Sequence, residues 1–135
     1  MTEKMKIIDF LRENQLDAIF VQKDENCRYL SKFTGSDSYL LLTKEELYLL
    51  TDSRYTEQAR KEAADYTVVD YKGHLAEIVA KLAGEYHIKT MGVETVFSYQ
   101  MYLSFHKYMP NIEFRFSQID RLRQIKSEEE ISCIK

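Results

Sequence analysis

Two short apolar runs in the first half of the chain are separated by three polar residues. The runs cover residues 39–43 and 47–51, and the spacer is Lys44-Glu45-Glu46. This pattern predicts an antiparallel hairpin with a short loop. Because the runs are apolar at nearly every position rather than at alternate positions, both faces of the hairpin should be covered. The pattern therefore predicts a hairpin in the middle of a sheet, with helices above and below it.

The rest of the chain alternates between amphipathic and short apolar segments. Helical periodicity is clearest at residues 75–83, where Gly84 can end the helix, and Ser98 is expected to cap a later helix. Further helices are predicted at residues 3–14, 24–30, 54–64 and 99–109, and strands at 17–21, 67–71, 90–93 and 112–116. This alternation predicts an α/β fold with a mixed, mostly five- to six-stranded sheet, a central antiparallel hairpin and helices on both faces.

Length and composition predict one compact soluble domain. The chain has 135 residues, of which 44% are hydrophobic and 30% charged. With 19 basic and 22 acidic residues, the net charge of -3 gives no electrostatic reason to bind nucleic acid or an anionic membrane. No run is long enough to span a bilayer, and the N-terminus lacks the apolar core of a signal peptide. Together with the widely spaced Cys27 and Cys133, this predicts a cytosolic protein.

Few side chains have a spacing that is typical of catalysis or metal binding. His74, His87 and His106 are far apart in sequence, which favours surface histidines over a metal site. The four glycines are too few and too scattered for a phosphate-binding loop or a dinucleotide fingerprint. The sequence has no Gly-x-Ser-x-Gly motif and no cysteine with an evident histidine partner. These observations disfavour a nucleotide-binding enzyme.

Two features around the hairpin could carry function. In the preceding loop, residues 33–38, Gly35 with its small polar neighbours predicts a tight turn, and Asp37 is the only charged residue. Two interpretations explain this loop equally well: an ordinary turn that leads into the hairpin, or a contact to a ligand. Arg54 opens the helix after the hairpin, an unfavourable place for a cation. Pairing with Asp52 or another carboxylate is favoured there over ligand contact.

The segments Tyr29-Leu30-Ser31-x-Phe33-Thr34-Gly35-Ser36 and Thr51-Asp52-x-Arg54-Tyr55, on either side of the Leu-rich hairpin, resemble the N-terminal domain of Xaa-Pro peptidases. This family comprises proline dipeptidases and aminopeptidases P, which are relatives of creatinase. The sequence departs from the family at Lys32 and Ser53, since glycine is common at both positions.

A third segment resembles the junction between that N-terminal domain and the family's catalytic domain. It reads Arg121-x-x-x-Ile125-Lys126-Ser127-x-x-Glu130-Ile131. Residues 1–125 are accordingly expected to form a creatinase-like N-terminal domain, and residues 126–135 to start the first helix of a C-terminal metallopeptidase domain. Because a capping box at Ser127 begins a helix only a few residues before Lys135, we expect the natural protein to continue.

The resemblance implies a domain without catalytic residues or metal ligands of its own. In the family, two divalent metals, manganese or cobalt, are held by two Asp, two Glu and one His of the C-terminal domain, and the peptide bond before proline is hydrolysed. The N-terminal domain is expected to contact its own catalytic domain, to form a homodimer, and to lean over the partner subunit's active site.

Carried over by motif, the substrate-entrance loop consists of Phe33, Thr34, Gly35, Ser36 and Asp37. Arg54 and Tyr55 are candidate contacts to a partner or to a proline-containing peptide. Dipeptidase, aminopeptidase and creatinase-like activities of the longer protein stay open at this point. A different hypothesis is a free-standing α/β module that binds a small ligand or a protein.

Overall fold

The computed structural model describes residues 3–33 and 38–117. The described helices are α1 Glu3–Glu13, α2 Asp24–Ser31, α3 Thr56–Glu62, α4 Leu75–Glu85 and α5 Tyr99–Tyr108. The strands are β1 Ala18–Val21, β2 Tyr39–Thr43, β3 Leu47–Thr51, β4 Thr67–Asp70, β5 Thr90–Val93 and β6 Glu113–Phe116. A short 3-10 turn, Ser53–Tyr55, precedes α3, so the helix expected to begin at Arg54 begins two residues later. The entrance-loop residues 34–37 and the expected helix at 126–135 lie outside the described residues.

The six strands form one sheet in the order β4-β3-β2-β1-β5-β6. Strand β2 is antiparallel to both of its neighbours, whereas all other neighbouring strands are parallel. Consequently β1, β3, β4, β5 and β6 all end at the same edge of the sheet, and β2 begins there. We call this the carboxyl edge. The prediction of a mixed sheet with an interior hairpin is confirmed.

The hairpin of β2 and β3 is buried on both faces. All its strand residues are buried except the half-buried Tyr39, and Leu41 lies opposite Tyr48 in the register. Its turn is closed by the Thr43 hydroxyl, which accepts hydrogen bonds from the backbone N–H groups of Glu45 at 3.2 Å and Glu46 at 2.8 Å. Apolar side chains thus cover both faces of the hairpin, and the Thr43 hydroxyl accepts hydrogen bonds from the backbone N–H groups of the turn.

Two separate hydrophobic clusters lie on the two faces of the sheet. One joins α1, α2 and α3 to the strands and includes Leu11, Leu30, Ala59, Leu42 and Leu49. The other joins α4 and α5 to the opposite face and includes Val79, Phe105, Phe20, Leu41 and Leu50. The expected helices on both faces are therefore present. Of the described helices, none combines the length and apolarity that crossing a bilayer requires.

Helix ends follow the expected chemistry at one position and depart from it at another. The Ser98 hydroxyl accepts a hydrogen bond from the backbone N–H of Met101 at 3.1 Å, which confirms it as the cap of α5. Gly84, which can end a helix, does not end α4, because the helix continues through it to Glu85. The left-handed residue beyond this helix is His87, with φ 53°. A glycine near a helix end permits a stop but does not impose one.

Candidate functional site at the carboxyl edge of the sheet

The two segments singled out in the sequence meet at the carboxyl edge. The entrance loop leads into β2, which begins there, and Asp52–Tyr55 follows β3, which ends there. The rings of Phe33 and Tyr55 pack edge to face, with centroids 6.4 Å apart and planes at 65°. Phe33 is 1% exposed, so it anchors the loop in the core rather than facing a ligand. Phe33 and Tyr55 are thus brought together, with Arg54 beside them.

The described residues on either side of positions 34–37 are held by hydrogen bonds. The Ser31 hydroxyl accepts from the backbone N–H of Phe33 at 3.1 Å and donates to the carbonyl of Cys27 at 2.5 Å. On the other side Ser38 is buried, and its carbonyl oxygen lies 3.7 Å from the Cys27 sulfur. Thr34, Gly35, Ser36 and Asp37 therefore connect two fixed points.

Cys27 supports this loop rather than acting as a nucleophile. Its sulfur also lies 3.7 Å from the Val21 carbonyl oxygen. Burial raises the pKa of the Cys27 thiol well above its ordinary range, and the nearby carboxylates of Glu94 and Asp24 raise it further. The thiolate is the reactive form, so this cysteine is held in its unreactive protonated state.

Arg54 pairs with Asp52, as the sequence favoured. One Asp52 carboxylate oxygen accepts from the Arg54 backbone N–H at 3.0 Å and from its Nε at 3.1 Å. These hydrogen bonds, the backbone one first, lower the pKa of Asp52. The guanidinium carbon lies 5.3 Å from the centroid of the Tyr55 ring, and the Arg54 side chain is 67% exposed. Arg54 is therefore fixed at its base and still reachable from solvent.

Sequence reasoning missed Glu94, which is 3% exposed at the same edge. Its carboxylate accepts hydrogen bonds from the backbone N–H of Gln22, from that of Lys23 at 2.7 Å, and from Asn26 Nδ2 at 2.6 Å. The available signal was an acidic residue directly after the apolar strand β5. In a parallel sheet, such a position faces the turn that follows the neighbouring strand.

Glu94 fills the place where open α/β sheets usually bind ligands. Strands β1 and β5 are parallel neighbours, but α2 follows β1 on one face and α5 follows β5 on the other. Ligands bind at such switch points, and anions bind where helix N-termini present backbone N–H groups. Because the Glu94 carboxylate takes these donors at the start of α2, an anionic ligand would have to displace it. This arrangement disfavours a nucleotide site at the crevice.

The described residues do not assemble a metal site. Within residues 3–33 and 38–117, no group of three or more His, Cys, Asp or Glu side chains is placed to hold a metal ion. These residues therefore do not fit the two-metal centre that the family resemblance implies for the longer protein. What the edge offers is an exposed guanidinium at Arg54 and, on either side of positions 34–37, the buried residues Phe33 and Ser38.

Comparison with known proteins identifies both a family and its close relatives. Residues 5–125 match the family model described as the creatinase/prolidase N-terminal domain. An Xaa-Pro dipeptidase of Pyrococcus horikoshii is 33% identical over 99% of this chain, and an uncharacterized peptidase of Bacillus subtilis, YqhT, is 29% identical over 88%. The chain spans 38% and 35% of the lengths of these two relatives.

Solved structures share the fold. The Xaa-Pro dipeptidase from Bacillus anthracis superposes with a TM-score of 0.79 at 28% identity, over 85% of this chain and 32% of that one. The N-terminal domain of the cytoplasmic peptidase PepQ from Mycobacterium tuberculosis gives a TM-score of 0.79 at 27% identity, over 89% of this chain and 97% of that one. The similarity thus extends to an isolated N-terminal domain of a peptidase.

Proposed function

The chain belongs to the creatinase/prolidase N-terminal domain family, and from this premise we propose that it is the non-catalytic N-terminal domain of a longer Xaa-Pro peptidase. The match over residues 5–125 carries the proposal, and relatives named Xaa-Pro dipeptidase and putative Xaa-Pro aminopeptidase support it. In this proposal the longer protein acts in the cytosol and hydrolyses the peptide bond before proline. Its C-terminal domain supplies the residues for two divalent metals, manganese or cobalt.

The proposed role of this domain is to shape the mouth of the substrate site. The loop at residues 33–37 would lie over the active site of the partner subunit. Supporting this role, Phe33, the first residue of the loop, and Ser38, which follows its last residue, are both buried and give the loop a fixed base. Asp37 would form a charge-assisted contact with the free amino group of the substrate. Such a contact positions the substrate without taking part in the chemistry at the metals.

Replacing Asp37 in the longer protein tests this role. We expect Asp37→Ala to raise KM several-fold while kcat and metal content stay unchanged, because uniform binding is lost and the chemical step is intact. Asp70→Ala is the matched control, since Asp70 also ends a strand at the carboxyl edge and accepts only a local hydrogen bond, from the Lys72 N–H at 2.9 Å. Unchanged KM in a folded Asp37→Ala enzyme would show that Asp37 only tightens the turn.

A homodimer is the second part of the proposal. Helix α5 and strand β6 present exposed apolar side chains, with Tyr99 75%, Leu103 49% and Phe116 71% exposed. The Tyr99 and Tyr102 rings stack at 6.3 Å, and Tyr102 meets Phe114 at 5.8 Å, so the two elements share one aromatic surface. Contiguous surfaces of this kind mark protein interfaces. We assign this face to contact with a second copy of the chain.

Sedimentation of charge-introducing variants tests the assignment. Leu103→Lys combined with Tyr99→Lys should convert dimers to monomers, because two charges would be buried in the interface. Met5→Lys, on the opposite face of the sheet and at an equally exposed apolar position (52%), should leave the dimer intact. A dimer that survives the double substitution would remove this face from the proposal.

A further inference from the structure

Glu94 is the only buried acidic or basic side chain among residues 4–33 and 38–117. Burying a carboxylate costs free energy unless hydrogen bonds replace its hydration. The three donors that do so here all belong to one short segment, the β1–α2 turn and the first turn of α2. Through these hydrogen bonds Glu94 ties the end of β5 to the start of α2. The structure shows no hydrogen bond from the Glu94 carboxylate to any other described element.

Helix α2 connects this tie to the entrance loop. The helix has eight residues, which is too short for independent stability, so its position depends on its contacts. Its last residue, Ser31, holds the N–H of Phe33, and Cys27 in its middle lies against the carbonyl of Ser38. Both ends of the loop thus rest on α2, and Glu94 fixes the end of α2 that the loop does not touch.

We infer that Glu94 is a positioning residue, which sets through helix α2 the placement of Phe33 and Ser38, the described residues on either side of positions 34–37 of the substrate-entrance loop. This inference rests on the function proposed for that loop. Glu94 itself touches neither the loop nor a substrate. Its loss should therefore change how well the longer protein binds substrate and leave the chemical step unchanged.

Glu94→Gln isolates the hydrogen bonds with little change in size. The glutamine oxygen still accepts from the backbone of Gln22 and Lys23 but carries no negative charge, and Asn26 must turn its amide over to offer Oδ1 to the glutamine NH2 group. Hydrogen bonds to a neutral acceptor are roughly half as strong as those to a carboxylate, so the tie is weakened. Adding Asn26→Asp reverses the direction of the side-chain hydrogen bond, because the new carboxylate accepts from the glutamine. The double variant should therefore restore the tie.

Hydrogen exchange of the 135-residue chain tests the positioning role without any assay of activity. In Glu94→Gln, the amides of residues 31–33 and 38, whose exchange we call loop exchange, should exchange roughly tenfold faster than in the wild type, since α2 opens more often. Val79→Ala is the control, because Val79 is buried in the cluster on the opposite face. Exchange is compared at temperatures equally far below the melting temperature of each protein. Under these conditions the control should leave loop exchange unchanged, and the double variant should return it to the wild-type rate.

The kinetics of the longer protein test the consequence. Glu94→Gln should raise KM several-fold at constant kcat, and the double variant should lower it again. If loop exchange in Glu94→Gln equals that in the Val79→Ala control, the positioning role is overturned whatever the kinetics. If loop exchange rises but KM does not, α2 is positioned by Glu94 and the loop's proposed function fails instead. Should Glu94→Gln not fold, Asn26→Ala, which removes one donor of three, must accelerate loop exchange for the inference to stand.

Discussion

Lys32 adopts a backbone conformation that glycine tolerates much better than lysine. Its φ of 70° places it in the left-handed region, where it ends α2 by donating its N–H to the Arg28 carbonyl at 2.8 Å. This conformation costs roughly 1–2 kcal/mol for a residue with a Cβ. The family resemblance implies glycine at this position, and glycine would adopt this conformation without that cost.

Substitutions at Lys32 should separate this backbone cost from the side chain's contacts. The Lys32 amine donates to the Tyr29 carbonyl at 2.9 Å and lies over the Tyr29 ring, and both Lys32→Gly and Lys32→Ala remove these contacts. We expect the glycine variant to be more stable than the alanine variant by about 1 kcal/mol. Chemical denaturation of the two proteins measures the difference, and equal midpoints would contradict the cost assigned to Lys32.

Asp52 should make the stability of the domain depend on pH in the acid range. Its folded pKa lies below the ordinary value of 3.8, because it accepts hydrogen bonds from Arg54. A lowered folded pKa adds stability above the ordinary value, and that contribution is lost as the pH falls through the folded pKa. The stability difference between wild type and Asp52→Asn should therefore be present near pH 7 and vanish in strong acid. A difference that stays constant across acid titration would show that the charge of Asp52 contributes nothing.

At the scale of elements, the hairpin carries much of the fold. Leu41 is fully buried in the cluster beneath α4 and α5. Removing a buried leucine costs roughly 2–5 kcal/mol, so Leu41→Ala should lower the free energy of unfolding by that amount. Met5→Ala, at a 52% exposed position on α1, truncates a side chain of similar size outside the core. Substitutions at surface positions usually change the free energy of unfolding by less than about 0.5 kcal/mol. A loss that small for Leu41→Ala would place Leu41 outside the core.

Local patterns predicted the elements, and long-range contacts escaped prediction. The apolar runs of the hairpin and the hydroxyl of Ser98 act on neighbouring residues, so the sequence displays them directly. The contacts of Glu94 join residues 68 to 72 positions apart, and only the pairing of β1 with β5 brings them together. Gly84 shows the converse, since a local signal that permits a helix to end was present and the helix continued one residue beyond it.

The candidate site was predicted in part for the same reason. Pairing of Arg54 with Asp52 involves residues two positions apart and was favoured from the sequence. The contact between Phe33 and Tyr55 depends on strand order, which places the beginning of β2 beside the end of β3. Family resemblance gave the loop its proposed role, because its composition fits an ordinary turn equally well.

At the scale of the whole molecule, one sheet brings Arg54, Glu94 and the described residues Phe33 and Ser38 to a single edge. Five of its six strands end at this carboxyl edge, and β2 begins there. The chain spans little more than a third of its relatives, 35% and 38% of their lengths. We therefore propose that the longer protein carries out the hydrolysis and that this domain controls access of the substrate.

Hydrolysis of an Xaa-Pro dipeptide in the presence of manganese tests this division most directly. The 135-residue chain and the longer protein are assayed side by side at equal concentration, with a matched dipeptide that lacks proline as the control substrate. We predict hydrolysis of the Xaa-Pro dipeptide by the longer protein and none above a blank by the 135-residue chain. Hydrolysis by the chain alone, or a longer protein that leaves the Xaa-Pro bond intact, would contradict the account.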